Sequence, residues 1–141
     1  MAPKPSALSD VKVLDFTSGI VGPFATKIMA GLGADVVKVE APNGGDPTRH
    51  LGPFDEDRPN AERSGLFLDL NAGKKSVTLD LESATAARLA RQLARNADIV
   101  IEGFGPGKAD RLGLGYHLIA PTNPGLTHVS VSNFGAAGPY H

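Results

Sequence analysis

The order of apolar segments over residues 11–40 constrains the fold of this chain more than any other feature. Runs of β type cover residues 11–16 and 35–40, with a loop of small residues at 17–22 between them. Pro23 then stands where helices favour proline, and Gly33 is a natural residue just after a helix end. Strand, helix and strand in this order form a βαβ unit, whose two strands are parallel.

The same alternation continues along the chain. Residues 76–81, 98–102 and 126–132 are of β type, and a long helix is expected between Ser83, as its N-cap, and Asn96. The pattern predicts an α/β fold with a doubly wound, mainly parallel sheet of about five strands. The expected apolar stripes of the two long helices are Phe24, Ile28, Met29 and Leu32, and Ala86, Leu89, Ala90, Leu93 and Ala97.

With 141 residues, the chain is long enough for one domain with a hydrophobic core. Residues 1–10 are expected to form a tail, and residues 11–141 a single domain interrupted by a long loop at about 41–63. A loop of this length in a compact domain is usually functional or disordered. We expect Asp46 and Arg49 to form a local surface ion pair on it, and Lys74 and Lys75 to be solvated at the end of a strand.

Composition excludes several classes of protein. The chain has 14 Lys and Arg against 15 Asp and Glu, a net charge of −1, which argues against a nucleic-acid-binding protein. It contains no Cys, so thiol nucleophiles and zinc–thiolate sites are excluded, and no H-E-x-x-H metal motif or G-x-S-x-G elbow occurs. No metal is therefore expected. Neither a membrane-spanning run nor a signal peptide is recognised, so a cytoplasmic location and no membrane partner are predicted.

Ligands of doubly wound folds bind beyond the carboxyl ends of the strands. The candidate segments are residues 17–22, 41–49, 81–83, 103–107 and 133–138. The third glycine of the 103–107 turn comes one position early for a dinucleotide-binding fingerprint. Asp15, near the end of the first strand, is either a catalytic carboxylate or, as we favour, a carboxylate hydrogen-bonded to the following loop. Lys38, Arg111 and the helix start at Pro23 could together receive a phosphorylated ligand.

An ordered series of short motifs resembles the opening of the family III CoA transferases, which include formyl-CoA and carnitine CoA transferases and the α-methylacyl-CoA racemases. Each motif is weak alone, whereas the ordered set spans nearly the whole chain. The motifs are residues 8–16, 22–23, 31–42, 44–49, 71–77, 79–81, 97–104, 106–107, 112–116, 123–124, 134–135 and 138–140.

The resemblance implies a partial CoA-binding, Rossmann-like domain and an enzyme that moves CoA between carboxylic acids. In that chemistry an aspartate carboxylate attacks an acyl-CoA thioester to form a mixed anhydride. The family's aspartate lies after the Gly-Pro-Tyr segment, beyond His141, so the chain corresponds to the N-terminal third and is expected to be inactive alone. The resemblance also implies acyl-CoA and carboxylic acid substrates, and a homodimer for the full-length protein.

CoA contacts carried over from the family fall on strand-end loops. Arginine can occupy the position of Ala41 in relatives, so Lys38 is a candidate replacement for that charge, and Ile20 replaces a residue that is polar in some relatives. Arg111 would meet a phosphate or the adenine. The predicted CoA-binding residues are Ile20, Val21, Lys38, Ala41, Leu79, Asp80, Leu81, Glu82, Gly103, Phe104, Gly105 and Arg111.

Two other functions stay open. One is an acyl-CoA racemase or isomerase, in which a His and an acid move a proton next to the thioester. Residues 44–49 and the long loop after them favour transfer over racemisation. The other is a CoA-binding module without catalytic activity.

Overall fold

The computed structural model describes residues 6–135 and 137–139. In this part of the chain, five parallel strands form one sheet in the order β3-β2-β1-β4-β5. The strand order reverses between β1 and β4, which confirms the doubly wound α/β architecture. The strands are β1 (Lys12–Phe16), β2 (Asp35–Glu40), β3 (Lys75–Thr78), β4 (Ile99–Glu102) and β5 (Thr127–Ser130).

Helices connect the strands at positions close to those predicted. The predicted caps of the long helix are both present: Ser83 accepts a hydrogen bond from the backbone N–H of Ala86, and Asn96 is the C-cap residue. The helices are α1 (Val21–Gly31), α2 (Gly65–Leu70), α3 (Ala84–Arg95), α4 (Lys108–Arg111) and α5 (Tyr116–Ile119), with 3₁₀ segments at Pro47–His50, Asp55–Asp57 and Ala120–Thr122.

The core has two halves because successive strand residues face opposite sides of the sheet. Val13 packs on one side with Met29 of α1, whereas Leu14 packs on the other side with Ala90 and Ala94 of α3. Both faces are therefore covered by helices, as expected for a parallel sheet.

The predicted apolar stripe of α1 is confirmed at Met29, which packs against the core, but is wrong at its three other positions. Phe24, Ile28 and Leu32 are each about half exposed, while Pro23 and Thr26 are buried. Thr26 faces inward because its hydroxyl donates to the carboxylate of Asp15 at the end of β1. A polar contact at the strand end thus sets the rotation of the helix.

The predicted apolar stripe of α3 is confirmed at Ala86, Ala90 and Ala97, which are buried, but is wrong at its two leucines. Ala86, Ala87, Ala90 and Ala94 are buried, whereas Leu89 and Leu93 are about two-fifths exposed. Small side chains allow the helix to lie close to the sheet.

Residues 6–10 of the segment predicted as a tail form a turn, and residues 1–5 lie outside the described part of the chain. Leu8 packs against the half-core on the α1 side, and its N–H donates to the carbonyl of Leu32 at 2.9 Å. This turn ties the start of β1 to the end of α1. None of the helices in the described residues is both long and apolar enough to span a membrane.

Candidate functional site

A cavity of about 360 Å³ opens at the carboxyl ends of the strands, next to the point where the strand order reverses. Four of the five predicted ligand segments meet there. The fifth, residues 133–138, contributes no lining residue among those described and includes the undescribed Ala136. The cavity is lined by residues 16–18, 38–42, 45–47, 79–82, 103 and 104, together with Lys108 and Leu112.

Its two sides differ in construction. We call residues 16–18 and 38–47, at and after the ends of β1 and β2, the charged wall. We call residues 79–82, 103, 104 and 108, which follow β3 and β4, the turn wall. The charged wall is backed by three ion pairs with little or no exposure, whereas the turn wall consists of short turns around Phe104 and Lys108.

Asp15 and Lys74 form the first buried pair, with side chains 0% and 1% exposed and 3.1 Å between Oδ2 and Nζ. The Asp15 carboxylate also accepts the backbone N–H and hydroxyl of Thr17 and the hydroxyl of Thr26. This confirms the interpretation of Asp15 as a carboxylate bonded to the following loop. The prediction that Lys74 is solvated is wrong: desolvation lowers its pKa, partly offset by Asp15. Lys75, by contrast, is exposed as predicted.

Lys38 and Asp46 form the second pair, 2.8 Å apart and 1% and 0% exposed. The Lys38 ammonium also donates to the carbonyl of Thr17 at 2.8 Å. Burial alone would raise the pKa of Asp46, but hydrogen bonds from Lys38 and Thr48 outweigh it and hold that pKa below its ordinary value.

Glu40 and Arg49 form the third pair, with two contacts of 2.8 and 3.0 Å. Burial would raise the pKa of Glu40, but hydrogen bonds from Arg49, the Asp46 N–H and the Ser76 hydroxyl lower it below its ordinary value. The predicted surface pair between Asp46 and Arg49 is therefore wrong. Each residue instead pairs with a side chain of β2, because the loop folds back onto that strand.

Gly45 is required where this loop crosses the Glu40–Arg49 pair. Its φ is +68°, in the left-handed region that favours glycine. A Cβ atom there would lie 2.7 Å from a Glu40 carboxylate oxygen and 2.9 Å from Cδ of Arg49. The glycine thus lets the loop backbone approach the ion pair closely enough for the Asp46 N–H to reach Glu40.

The turn wall has weaker polar contacts. Glu102, at the end of β4, accepts the backbone N–H of Phe104 at 2.7 Å and forms no ion pair with another described residue. Lys108 lies 3.5 Å from Glu82 across the wall, and both side chains are exposed, by 42% and 75%. The Lys108 ammonium is therefore accessible to an anion in the cavity, unlike that of Lys38.

The structure brings eight of the twelve predicted CoA-binding residues to this cavity. Gly105 lies instead in a second cavity of about 330 Å³, near the end of β5, with Tyr116, His117 and His128. Ile20 and Val21 are exposed at the start of α1, and neither they nor Arg111 line the first cavity. The eight residues at the cavity are Lys38, Ala41, Leu79, Asp80, Leu81, Glu82, Gly103 and Phe104.

Among the described residues, no cluster of three or more His, Cys, Asp or Glu side chains is placed to hold a metal ion. The cavity offers instead an accessible ammonium, apolar surface from leucines and an aromatic ring. These groups suit an organic anion with an apolar portion.

Comparison with known proteins decides the family. A sequence model of CoA-transferase family III matches residues 8–141. The chain belongs to this family. A formyl-CoA:oxalate CoA-transferase of Streptomyces coelicolor is 42% identical to this family III chain over 134 residues, covering 95% of the chain and 31% of the relative. A succinyl-CoA:(R)-benzylsuccinate CoA-transferase subunit of Thauera aromatica is 41% identical over 131 residues, covering 93% of the chain and 32% of the relative.

Solved structures agree with the assignment to family III. The crystal structure of a CAIB/BAIF family protein from Brucella suis superimposes with a TM-score of 0.87 at 36% identity, covering 97% of this chain and 36% of that one. The chain thus spans about a third of the length of the relatives that it matches.

Two parts of the site were missed by sequence reasoning. Lys108 immediately follows Gly107, which opens α4 after the β4 turn, and a cation at the first helical position beyond a strand end is a signal that could have been used. The pairing of Lys38 with Asp46 had no comparable signal, because the two residues meet only when the loop folds back onto β2.

Proposed function

We propose that this chain forms the CoA-binding part of an enzyme that transfers CoA between carboxylic acids. The observation that carries the proposal is the meeting of four strand-end loops around one cavity, in a chain of CoA-transferase family III. The relatives quoted above are transferases by name, which favours transfer over racemisation.

The chemistry of CoA matches the lining of the cavity. CoA carries phosphates, an adenine ring and a long pantetheine arm with apolar segments. Lys108 supplies a cation for a phosphate, with Glu82 as the partner that the phosphate displaces. Phe104 offers an aromatic surface, while Leu79 and Leu81 offer apolar contact for the arm or the ring.

None of the four carboxylates that line the cavity is suited to act as the nucleophile. Glu40 and Asp46 are each held by a cation and by further hydrogen bonds. Asp80 and Glu82 are exposed, where a reactive anhydride would meet water. We therefore assign the attack on the acyl-CoA thioester, with formation of the mixed anhydride and release of CoA thiolate, to an aspartate that follows the matched segment. The acceptor acid then resolves the anhydride through further anhydride and thioester exchange, in which the thiolate ends on the acyl group of the acceptor and the donor acid and the aspartate are released.

The chain alone should consequently bind CoA without transferring it. Mixing the purified chain with an acyl-CoA and an acceptor acid should give turnover at background level. Turnover well above background would show that a carboxylate of this segment is itself the nucleophile. The family resemblance is the support for a homodimer, and for a cytoplasmic location, of the full-length protein.

Calorimetric titration with CoA tests the binding proposal. We expect saturable binding, and an affinity about fivefold or more weaker for Lys108→Ala, because an accessible charged contact is lost. Lys75→Ala is the matched control, since Lys75 is exposed and does not line the cavity. A chain that is folded by circular dichroism but gives no saturable heat would contradict the proposal.

A further inference from the structure

The Lys38–Asp46 pair joins two turns of the charged wall. Both residues of the pair hold the turn after β1: Lys38 donates to the Thr17 carbonyl at 2.8 Å, and the Gly19 N–H donates to Oδ1 of Asp46 at 3.2 Å. Asp46 also holds the turn of the long loop, because the same oxygen accepts the N–H and hydroxyl of Thr48 at 2.9 and 2.7 Å.

Both turns border the proposed CoA cavity, at residues 16–18 and 45–47. No strand ladder connects the two turns, since residues 17–19 follow Phe16, the last paired residue of β1, and residues 45–47 follow Glu40, the last paired residue of β2. Their spacing therefore depends on side-chain contacts, and this pair is almost fully enclosed, with side chains 1% and 0% exposed.

An enclosed ion pair contributes little net free energy to the stability of the fold. Removing two charges from water offsets much of their attraction, and apolar replacements of similar size often stabilise a protein as well. A pair that also makes directional bonds to two turns fixes their geometry, which apolar side chains would not do.

We propose that Lys38 and Asp46 are positioning residues that set the spacing of these two turns for CoA, and that Lys38 does not itself bind CoA. The proposal rests on the CoA-binding function proposed above. The side chain of Lys38 is 1% exposed, with its ammonium engaged by Asp46 and Thr17, so a ligand phosphate has no access to it.

The test compares Lys38→Met with Lys75→Met in the purified chain. Lys75 is the matched control, because it is 69% exposed and lies outside the cavity. The double variant Lys38→Met/Asp46→Asn removes both charges while keeping the Oδ1 acceptor. Three quantities are measured: melting temperature, the hydrogen-exchange rate of the Gly19 amide, and the Kd for CoA.

In Lys38→Met we expect the Gly19 amide to exchange about tenfold faster than in the wild type, and CoA to bind about tenfold more weakly. Lys75→Met should match the wild type in both measurements. The double variant should regain melting temperature, because no charge is left unpaired, but should keep the fast exchange and weak binding. If the pair only stabilised the fold, CoA affinity and melting temperature would recover together in the double variant.

Three results would overturn the proposal. Unchanged Gly19 exchange in Lys38→Met and in the double variant would show that Lys38 does not hold the turn. Recovery of CoA affinity together with melting temperature in the double variant would show that the pair acts through stability alone. If wild-type chain binds no CoA, the CoA-binding function itself fails, while the Gly19 measurement still decides whether the turns are coupled. Should Lys38→Met not fold, the charge-balanced double variant carries both measurements.

Discussion

The charged wall and the turn wall reach the same cavity by different physical means. The charged wall is backed by enclosed ion pairs that join different elements, among them Asp15 and Lys74, 59 residues apart. The turn wall is shaped by local contacts, such as the bond from the Phe104 N–H to Glu102, two residues away. The enclosed pairs of the charged wall therefore form only in the folded core, whereas the bond at Phe104 forms within a single turn.

The largest expected effect comes from breaking the charged wall at Asp15. Its carboxylate accepts bonds from Thr17, Thr26 and Lys74, so the NH₂ group of Asn would face other donors. The Lys74 ammonium would keep only neutral oxygens, those of Pro23 and Asn71, and lose its carboxylate. Asp15→Asn should lower the free energy of unfolding by about 3–5 kcal/mol. Urea unfolding followed by circular dichroism measures this loss.

The matched change beside the turn wall is Glu102→Gln. Glu102 is also buried at a strand end, but among the described residues its carboxylate accepts one backbone N–H, that of Phe104, which the Gln oxygen can still accept. The cost should be about 1 kcal/mol or less. Equal losses for the two variants would mean that the walls do not differ in the way described.

The second-largest expected effect is a loss of stability in acid, through the carboxylates of the charged wall. The pKa values of Asp46 and Glu40 lie below their ordinary values of 3.8 and 4.5, so the unfolded chain binds more protons below about pH 4.5. Their contribution is therefore complete above these ordinary values and is lost as the pH falls towards the lower folded pKa values. The urea midpoint should drop between pH 6 and pH 3.

Lys38→Met provides the control for this pH dependence. It removes the side-chain partner that contributes most to lowering the pKa of Asp46. The drop in urea midpoint should therefore be smaller in this variant. An identical drop would assign the acid sensitivity to other carboxylates.

The N-cap residues of α2 and α3 differ in the same way, one having distant contacts and the other a local contact, and we expect a smaller difference in stability between their variants. Ser64 caps α2 and its hydroxyl also donates to the carbonyls of Thr48 and Leu51, on the long loop. Ser83 caps α3 through one bond, to the Ala86 N–H. Ser64→Ala should cost about 2 kcal/mol and Ser83→Ala about 1 kcal/mol in urea unfolding. A larger loss at Ser83 would contradict the view that the long loop is held by distant contacts.

The fold was predictable from the sequence because its signals are local. Apolar runs gave the five strands, and Ser83 and Asn96 marked the ends of α3. The rotation of α1 was not predictable, because the Asp15–Thr26 bond that turns Phe24 outward joins residues of two different elements.

The site, like the fold, was predictable where its signals are local in sequence. Strand-end loops are recognisable in sequence, and four of the five form the cavity. The partners of Lys38, Arg49 and Lys74 were not predictable from the sequence. Each pairing depends on how the long loop, or the segment before β3, packs against the neighbouring strands. Burial of charge is a tertiary property, and sequence patterns place Lys at the surface by default.

The smallest expected effect is at the surface pair of Lys75 and Asp35, on neighbouring strands. The two atoms are 2.7 Å apart, but the side chains are 69% and 47% exposed. Lys75→Met should change the free energy of unfolding by less than about 1 kcal/mol. A cost near that of Asp15→Asn would remove the distinction between enclosed and exposed pairs.

Binding of CoA at the cavity between the two walls is the central claim, and an NMR titration of the labelled chain tests it most directly. CoA should give saturable shifts at the amides of Ser18, Gly45, Gly103 and Phe104, and little change at His117 in the second cavity. Absence of saturable shifts in a folded chain, or shifts confined to the second cavity, would contradict the account.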